Sequence, residues 1–227
     1  MRFLWKLIKI LLPTIILLPI ISLFLYKYYN PIITITQINE AIHYNKLDRE
    51  YISYDDMGDN IKLAVIASED QNFFSHNGFD MKAIQQALID NEEGKKLRGG
   101  STISQQTAKN IFLWQGRSWI RKGLEVPFTY AIEKLWGKHI ILERYLNSIE
   151  MGQGVFGIEA ASLYYFGKSA KNLTKSEAAW IVCVLPNPKK YDPDNPTPRL
   201  IRKHKWILRQ MKHIKLTPKD ENQNEIL

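Results

Sequence analysis

The chain has 227 residues, a formal charge of +8, six Trp, eleven Tyr and a single cysteine. One cysteine excludes an intrachain disulfide, and Cys183 in the apolar run AAWIVCVL reads as a buried thiol. Basicity fits an anionic membrane face, a phosphorylated lipid or a nucleic acid. The last is disfavoured, because no Cys/His finger spacing is present and the amino terminus reads as an export segment.

In chain order, Leu7 to Tyr26 is almost wholly apolar, with Lys9 near its edge and Pro13 and Pro19 inside. At ~1.5 Å rise per residue about 20 residues cross the hydrocarbon layer, and internal prolines do not exclude a span. Arg2, Lys6 and Lys9 precede the run and only Lys27 follows closely. This bias orients the amino terminus to the cytoplasm and the remainder outside. No small-residue cleavage site is evident, so a retained anchor is expected over a cleaved signal peptide. The expectation is thus a cytoplasmic tip and transmembrane anchor over residues 1–30, then one domain over 31–227. The protein would be single-pass in the cell inner membrane, with its catalytic domain in the periplasm.

Beyond the anchor the patterning predicts helices. Asn60 to Glu69 has an apolar helical face, Asp80 can cap a helix through Leu88, and a charged segment from Asn91 to Arg98 looks mobile. Thr102 to Phe112 follows, with Thr102 and Gln105 at capping-box spacing. Arg121 to Leu135 is next, where Pro127 predicts a kink or a delayed start. Ile140, Ile141, Tyr145 and Leu146 form a buried stripe, and Thr174 with Glu177 opens a helix that Pro186 stops. LPNPKKYDPDNPTP is a proline-rich loop, and Arg199 to Ile214 a basic helix. No sustained alternating pattern predicts strands, so the fold class is mainly α-helical.

The densest polar stretch is Gly99-Gly-Ser-Thr-Ile-Ser-Gln-Gln-Thr-Ala-Lys-Asn110. Gly99 and Gly100 suit a sharp turn, and Thr102, Gln105, Gln106 and Lys109 then share one helical side. Such a set suits sugar hydroxyls and phosphates. Glu69, ending an apolar helix beside Phe73 and Phe74, can enter a partly desolvated cleft and act as a base; a solvated helix-end charge is the plainer alternative. His76 can orient the loop or a ligand, but no HExxH or HxH spacing supports a metal. Arg121, Lys122 and Glu125 are either a surface ion pair or a phosphate clamp beside a carboxylate, which Lys109 and Arg117 can join.

These motifs together resemble the lysozyme-like peptidoglycan glycosyltransferases, and most closely the monofunctional biosynthetic peptidoglycan transglycosylases. The resemblance rests on Glu69-Asp-Gln-Asn-Phe-Phe-Ser-His76, on Gly99 to Gln106 with Lys109 and Asn110, on Arg121-Lys122-x-x-Glu125, and on Ile141-Leu-Glu-x-Tyr-Leu-Asn147 with Gly152. Ala160-Ala161, Tyr165 to Lys168, Glu177-Ala178 and Leu185-Pro186-x-Pro188 extend it towards the carboxy terminus. It implies a two-lobed glycosyltransferase domain with a cleft, preceded by one transmembrane helix. It implies Glu69 as the base for the acceptor's 4-hydroxyl and Glu125 as the second essential carboxylate. Lys109, Arg117, Arg121 and Lys122 would hold phosphate, and Asp70, Ser101, Thr102, Gln105, Gln106 and Asn110 would shape the substrate cleft. Glu143, Tyr145 and Asn147 look structural, with Glu143 a link towards the site. The implied substrates are lipid II and the growing lipid-linked glycan, with membrane lipids and cell-wall or division proteins as further partners. No tightly bound cofactor is expected, and Mg2+ or Mn2+ is a candidate helper. The rival readings are a lytic enzyme that cleaves finished glycan and a silent membrane scaffold.

Overall fold

The computed structural model of the chain describes residues 2–93, 100–116 and 118–217, and gives the backbone alone for residues 2–8, 10–12, 15, 16 and 91. The order of elements is α1 (Arg2–Tyr28), α2 (Ile35–Tyr44), β1 (Asp48–Arg49), α3 (Asp59–Glu69), α4 (Met81–Glu92), α5 (Ile103–Phe112), α6 (Trp119–Leu135) and α7 (Gly137–Ser148). Then come β2 (Glu150–Gly152), β3 (Val155–Phe156), α8 (Ile158–Phe166), α9 (Lys175–Val184) and α10 (Pro198–Gln210), with single 3-10 turns at Phe73–Ser75 and Ala170–Asn172.

The mainly helical expectation holds, and capping chemistry explains several boundaries. Thr34, Thr102 and Thr174 each accept from the backbone N–H three residues on, while Gln37, Gln105 and Glu177 reach back to the cap N–H. Each capping box satisfies two of the donors a helix start leaves unpaired. Asp80 Oδ1 accepts from Ala83 N at 2.9 Å, and the helix it caps runs on to Glu92. Pro127 does not delay α6, which starts at Trp119 from the cap Ser118. Its missing N–H would have met Gly123, a residue with open space around it. The basic helix α10 stops at Gln210, short of Ile214, because Lys212 N turns back to Arg209 O in a tighter turn.

The strands escape a sequence reading because each is two or three residues long, below the length at which alternation is visible. β3 lies between β1 and β2, parallel to β1 (Asp48 opposite Val155) and antiparallel to β2 (Glu150 opposite Phe156). The register slips between Glu150 and Gly152.

The core forms where α3 packs on α9 and α10, and where α5 packs on α6 and α7. Ala64 and Ala67 on α3 and Ala178 and Ala179 on α9 are fully buried, so small side chains let these backbones approach. Cys183 is buried as expected, and burial pushes its thiol up to about 12. On α7, Glu143 Oε2 accepts from Tyr54 N at 2.8 Å, and Asn147 pairs with both backbone groups of Ile52 at 3.1 and 2.9 Å. These residues bind the segment ahead of α3 to the core.

The end of α1 is gripped by α6 and α7. Trp136 Nε1 donates to Leu23 O at 2.7 Å, just beyond the end of α6, and from α7 Arg144 donates to Tyr26 O at 2.7 Å, Lys27 O at 3.2 Å and Asn30 Oδ1 at 3.0 Å. A guanidinium at a helix C-terminus meets both its unpaired carbonyls and its dipole.

This region corrects the anchor expectation. Among the described residues no helix is long and apolar enough to cross a membrane. The expected transmembrane helix, and the single-pass inner-membrane and periplasmic placement drawn from it, therefore do not hold. The described part of α1 carries Lys9, Pro13 and Pro19. One side of its last turns faces protein, with Leu23 buried and Tyr26 packed on the core, while Phe24, Leu25 and Tyr28 are exposed. Residues 7, 8, 10–12, 15 and 16 of the apolar run lie outside the described side chains, as residues 94–98 of the expected mobile segment lie outside the described chain.

Gly157 joins β3 to α8 with φ +84°, and a Cβ there would stand 2.9 Å from Asn147 O. Gly157→Ala should lower unfolding free energy by about 1–3 kcal/mol, through both the left-handed backbone and the clash. Urea denaturation of the two proteins measures it.

Candidate active site

The site begins where α3 ends. Asp70, the C-cap, donates its N–H to Ile66 O at 3.0 Å, while its carboxylate turns inward. Asp70 Oδ2 accepts from Ile103 N at 3.0 Å, at the positive start of α5, and both oxygens lie 3.0 Å from His76 Nε2. His76 Nδ1 accepts from Gly78 N at 3.1 Å, so Nε2 carries the proton that faces Asp70. This buried joint fixes the last turn of α3 against α5 and leaves Glu69 pointing into a cleft.

That cleft has a volume of about 790 Å³ and is lined by Ser68 to Asn72, Asp80, Ala83, Gly100 to Thr102, Gln106, Leu185, Pro186, Lys203 and Trp206. The Glu69 side chain is 17% exposed. It is not the dry carboxyl that its apolar neighbours suggest: Ser68 Oγ donates to Oε1 at 2.8 Å and Gln106 Nε2 to Oε2 at 3.3 Å. Tyr145 OH donates to Gln106 Oε1 at 3.2 Å. A carboxylate only accepts, so Glu69 takes the Nε2 end of the Gln106 amide and leaves Oε1 to the Tyr145 hydroxyl. Burial, reinforced by Glu69 and Asp70, holds the Tyr145 phenol well above its usual range, so it stays a donor.

Gln106 also lines a smaller cavity of about 220 Å³, shared with Lys109, Asn110, Gln115, Thr36 and Glu150. Burial pushes the Lys109 ammonium below its usual range, and Arg121 and Lys122 add to this while Glu125 opposes it. Lys109 has no hydrogen-bond or ion-pair partner among the described residues. Glu125, buried on α6, pairs with Arg121 on one oxygen and with Lys122 Nζ at 2.7 Å on the other. Lys122 Nζ also donates to Ser101 Oγ at 3.1 Å, which ties this cluster to the mouth of the cleft. Two cations on one carboxylate leave the cluster net positive, with Lys109 beside it. Such an arrangement suits a ligand with more than one negative charge.

The remaining predicted residues fall into place differently. Thr102 and Gln105 are consumed by the α5 cap, and Thr102 Oγ1 also donates to Gly78 O at 2.7 Å. Asn110 Oδ1 accepts from Gln115 Nε2 at 3.0 Å in the smaller cavity. Gly100 takes no left-handed angle and has room for a Cβ, so the turn does not need its freedom. Gly99 and Arg117 lie outside the described residues. Sequence reasoning missed Lys203 and Trp206, reading α10 only as a basic helix. Lys203 Nζ stands 3.9 Å from Glu69 Oε1, and burial pushes its ammonium down while Glu69 opposes the shift. The available signal was periodicity. Leu200, His204 and Ile207 face inward, which sets Lys203 at the border of the buried stripe.

A carboxylate in an open cleft, with a cationic cluster one amide away, matches the motifs that carried the resemblance. The family model described as "Transglycosylase" matches residues 35–212. The biosynthetic peptidoglycan transglycosylase of Mannheimia succiniciproducens is 55% identical over 171 residues, covering 75% of this chain and 70% of that protein. This chain belongs to the biosynthetic peptidoglycan transglycosylase family. The protein so named from Haemophilus influenzae is 54% identical over 170 residues (74% of this chain, 69% of that protein). The one from Caulobacter vibrioides is 42% identical over 217 residues, 94% of this chain and 92% of that protein. As a member of this family, the transglycosylase is an enzyme of glycosyl transfer.

Tyr145→Phe removes only the hydroxyl that orients Gln106. It should lower turnover by roughly tenfold while costing about 1 kcal/mol of stability. Steady-state kinetics alongside a thermal melt separates the two effects.

Proposed function

We propose that this transglycosylase polymerises lipid II, transferring a growing glycan from an undecaprenyl diphosphate onto the 4-hydroxyl of the acceptor's N-acetylglucosamine. The observation that carries this reading is the Gln106 bridge. It puts Glu69 in an open cleft on one side and Lys109 on the other, with Arg121 and Lys122 close enough to act on the Lys109 ammonium. Glu69 takes the acceptor proton as the oxygen attacks the anomeric carbon, and the bond to the diphosphate breaks on the opposite face. Direct displacement inverts the linkage from alpha to beta. Base assistance of this kind contributes ~10²–10⁴-fold.

The diphosphate leaves as an anion, so electrostatic stabilisation replaces a general acid. Lys109, whose ammonium is unpaired among the described residues, contacts it directly. Glu125 organises: its two oxygens hold Arg121 and Lys122 in place, and a negative group between two cations keeps them from splaying. Arg117 belongs to the same basic segment in sequence. Asp70 acts through the α3–α5 joint, Thr102 and Gln105 through the cap, and Ser101 and Asn110 at the walls of the cleft.

Mg2+ is commonly bound through one or two carboxylates plus substrate phosphates. Mg2+ or Mn2+ would come with the donor's diphosphate, and no step here depends on it. Membrane lipids fit as partners of the outer face of α6, where Trp119 is 92% exposed and Ile120, Val126 and Tyr130 are also bare. Cell-wall synthesis or division proteins remain natural partners for an enzyme that must deliver its strand to others.

Labelled lipid II, incubated with and without Mg2+ and resolved by glycan length, tests the reading. Glu69→Gln should lower polymerisation at least ~10²-fold, and a variant of wild-type rate would remove Glu69 as the base. Soluble cleaved muropeptides instead of longer strands would favour a lytic activity. Lys122→Ala should raise the donor KM by on the order of tenfold, about 1.4 kcal/mol, and unchanged kinetics would exclude a clamp role.

A further inference from the structure

Glu150 is the charged residue of the smaller cavity that the mechanism leaves unused. It sits on β2 at the register slip, beside the wall that Ile149, Leu185, Pro186 and Pro188 form with α5. Oε1 accepts only a long bond from Gly154 N, 3.4 Å, across the β2–β3 turn. Lys189, which acts on Glu150 electrostatically, is already paired, because its Nζ lies 2.7 Å from Glu40 Oε2. Glu150 and Lys109 thus line one space of about 220 Å³ and share no bond or ion pair. That space would hold roughly seven waters at about 30 Å³ each, enough for a phosphate group. It also borders the main cleft, since Gln106, Leu185 and Pro186 line both.

We propose that Glu150 is a proton-dependent contact for the diphosphate of the donor: protonated, its carboxyl donates a hydrogen bond into the cavity that Lys109 lines, and ionised, it repels the same anion. The proposal rests on the reading of Lys109 as a diphosphate ligand. The surroundings make the switch operate near neutrality. Burial pushes the Glu150 carboxyl up to about 7, and Glu40 adds to the rise while Lys189 and the Gly154 N–H oppose it. The groups that face it are Glu40 on α2, Lys189 from the proline-rich loop, Lys109 on α5 and the phenol of Tyr165 on α8. Tyr165 is held neutral far above this range, and Glu40 and Lys189 cancel as a pair. Glu150 changes charge as pH rises through about 7, and Glu150→Gln separates its titration from that of Lys109, whose ammonium burial also pushes down. The sign follows: donor affinity is highest below that pH and falls above it.

The test uses the full chain and a water-soluble short-prenyl diphosphate sugar. Its two phosphates are both esterified and keep fixed charges across the neutral range, so the ligand adds no titration of its own. Wild-type affinity, measured calorimetrically, should fall on the order of tenfold between about pH 6 and about pH 8.5. Glu150→Gln keeps a neutral donor of the same shape and should hold its low-pH affinity to the top of that range. Glu150→Ala should also lose the pH dependence but bind more weakly than Gln at every pH, which isolates the hydrogen bond. Parallel pH curves for wild type and the Gln variant would overturn the proposal, as would a flat wild-type curve. Lys109→Ala separates the two levels of argument. If it leaves affinity unchanged, the diphosphate reading of this side fails. If it weakens binding while Glu150→Gln still titrates like wild type, only the role of Glu150 fails.

Discussion

The site depends on one buried carboxylate that joins two helices. Asp70 ties the C-terminus of α3 to the first backbone N–H of α5 and to the proton of His76. A carboxylate at a helix start is favoured by both the free N–H groups and the dipole, and burial strengthens each. Its neighbour Glu69 can then project from a strand-free junction between helices, with the Gln106 amide a fixed distance away. Without that joint the two ends of the cleft would belong to independent helices.

The second organising constraint is charge separation. The base side of the cleft has one carboxylate with neutral donors and a partly displaced lysine, Lys203. The phosphate side stacks three cations around a single buried carboxylate. Like charges in a small space cost free energy, so an anion entering the cavity would relieve part of that cost. Glu125 is the residue that makes this tolerable. It neutralises part of the cluster while leaving Lys109 free to meet a ligand.

Much of this was legible in the sequence where one local rule sufficed. Capping boxes at Thr102 and Thr174, the buried stripe through Tyr145, and the Lys122/Glu125 spacing all depend on residues three or four apart. What stayed hidden depends on distant segments. Lys203 meets Glu69 only because α10 packs on α3, and Glu150 shares a cavity with Lys109 only because the fold brings β2 and α5 to one space. Thr102 and Gln105 carry ambiguous chemistry, since the atoms that can bind sugar are those that cap a helix. The anchor expectation came from the length of the apolar run and its flanking charges, neither of which shows the protein socket around Leu23 and Tyr26.

That socket has a mechanical side. Arg144, which holds the end of α1, is followed directly by Tyr145, which holds Gln106 and through it Glu69. Two adjacent residues of α7 thus face opposite ways, one towards the amino-terminal helix and one towards the base. Torque applied to that helix would reach the same turn that orients Gln106 and, through it, Glu69. The enzyme's leading segment is in this sense a tiller, and the direction it is held in becomes part of the alignment of the reaction.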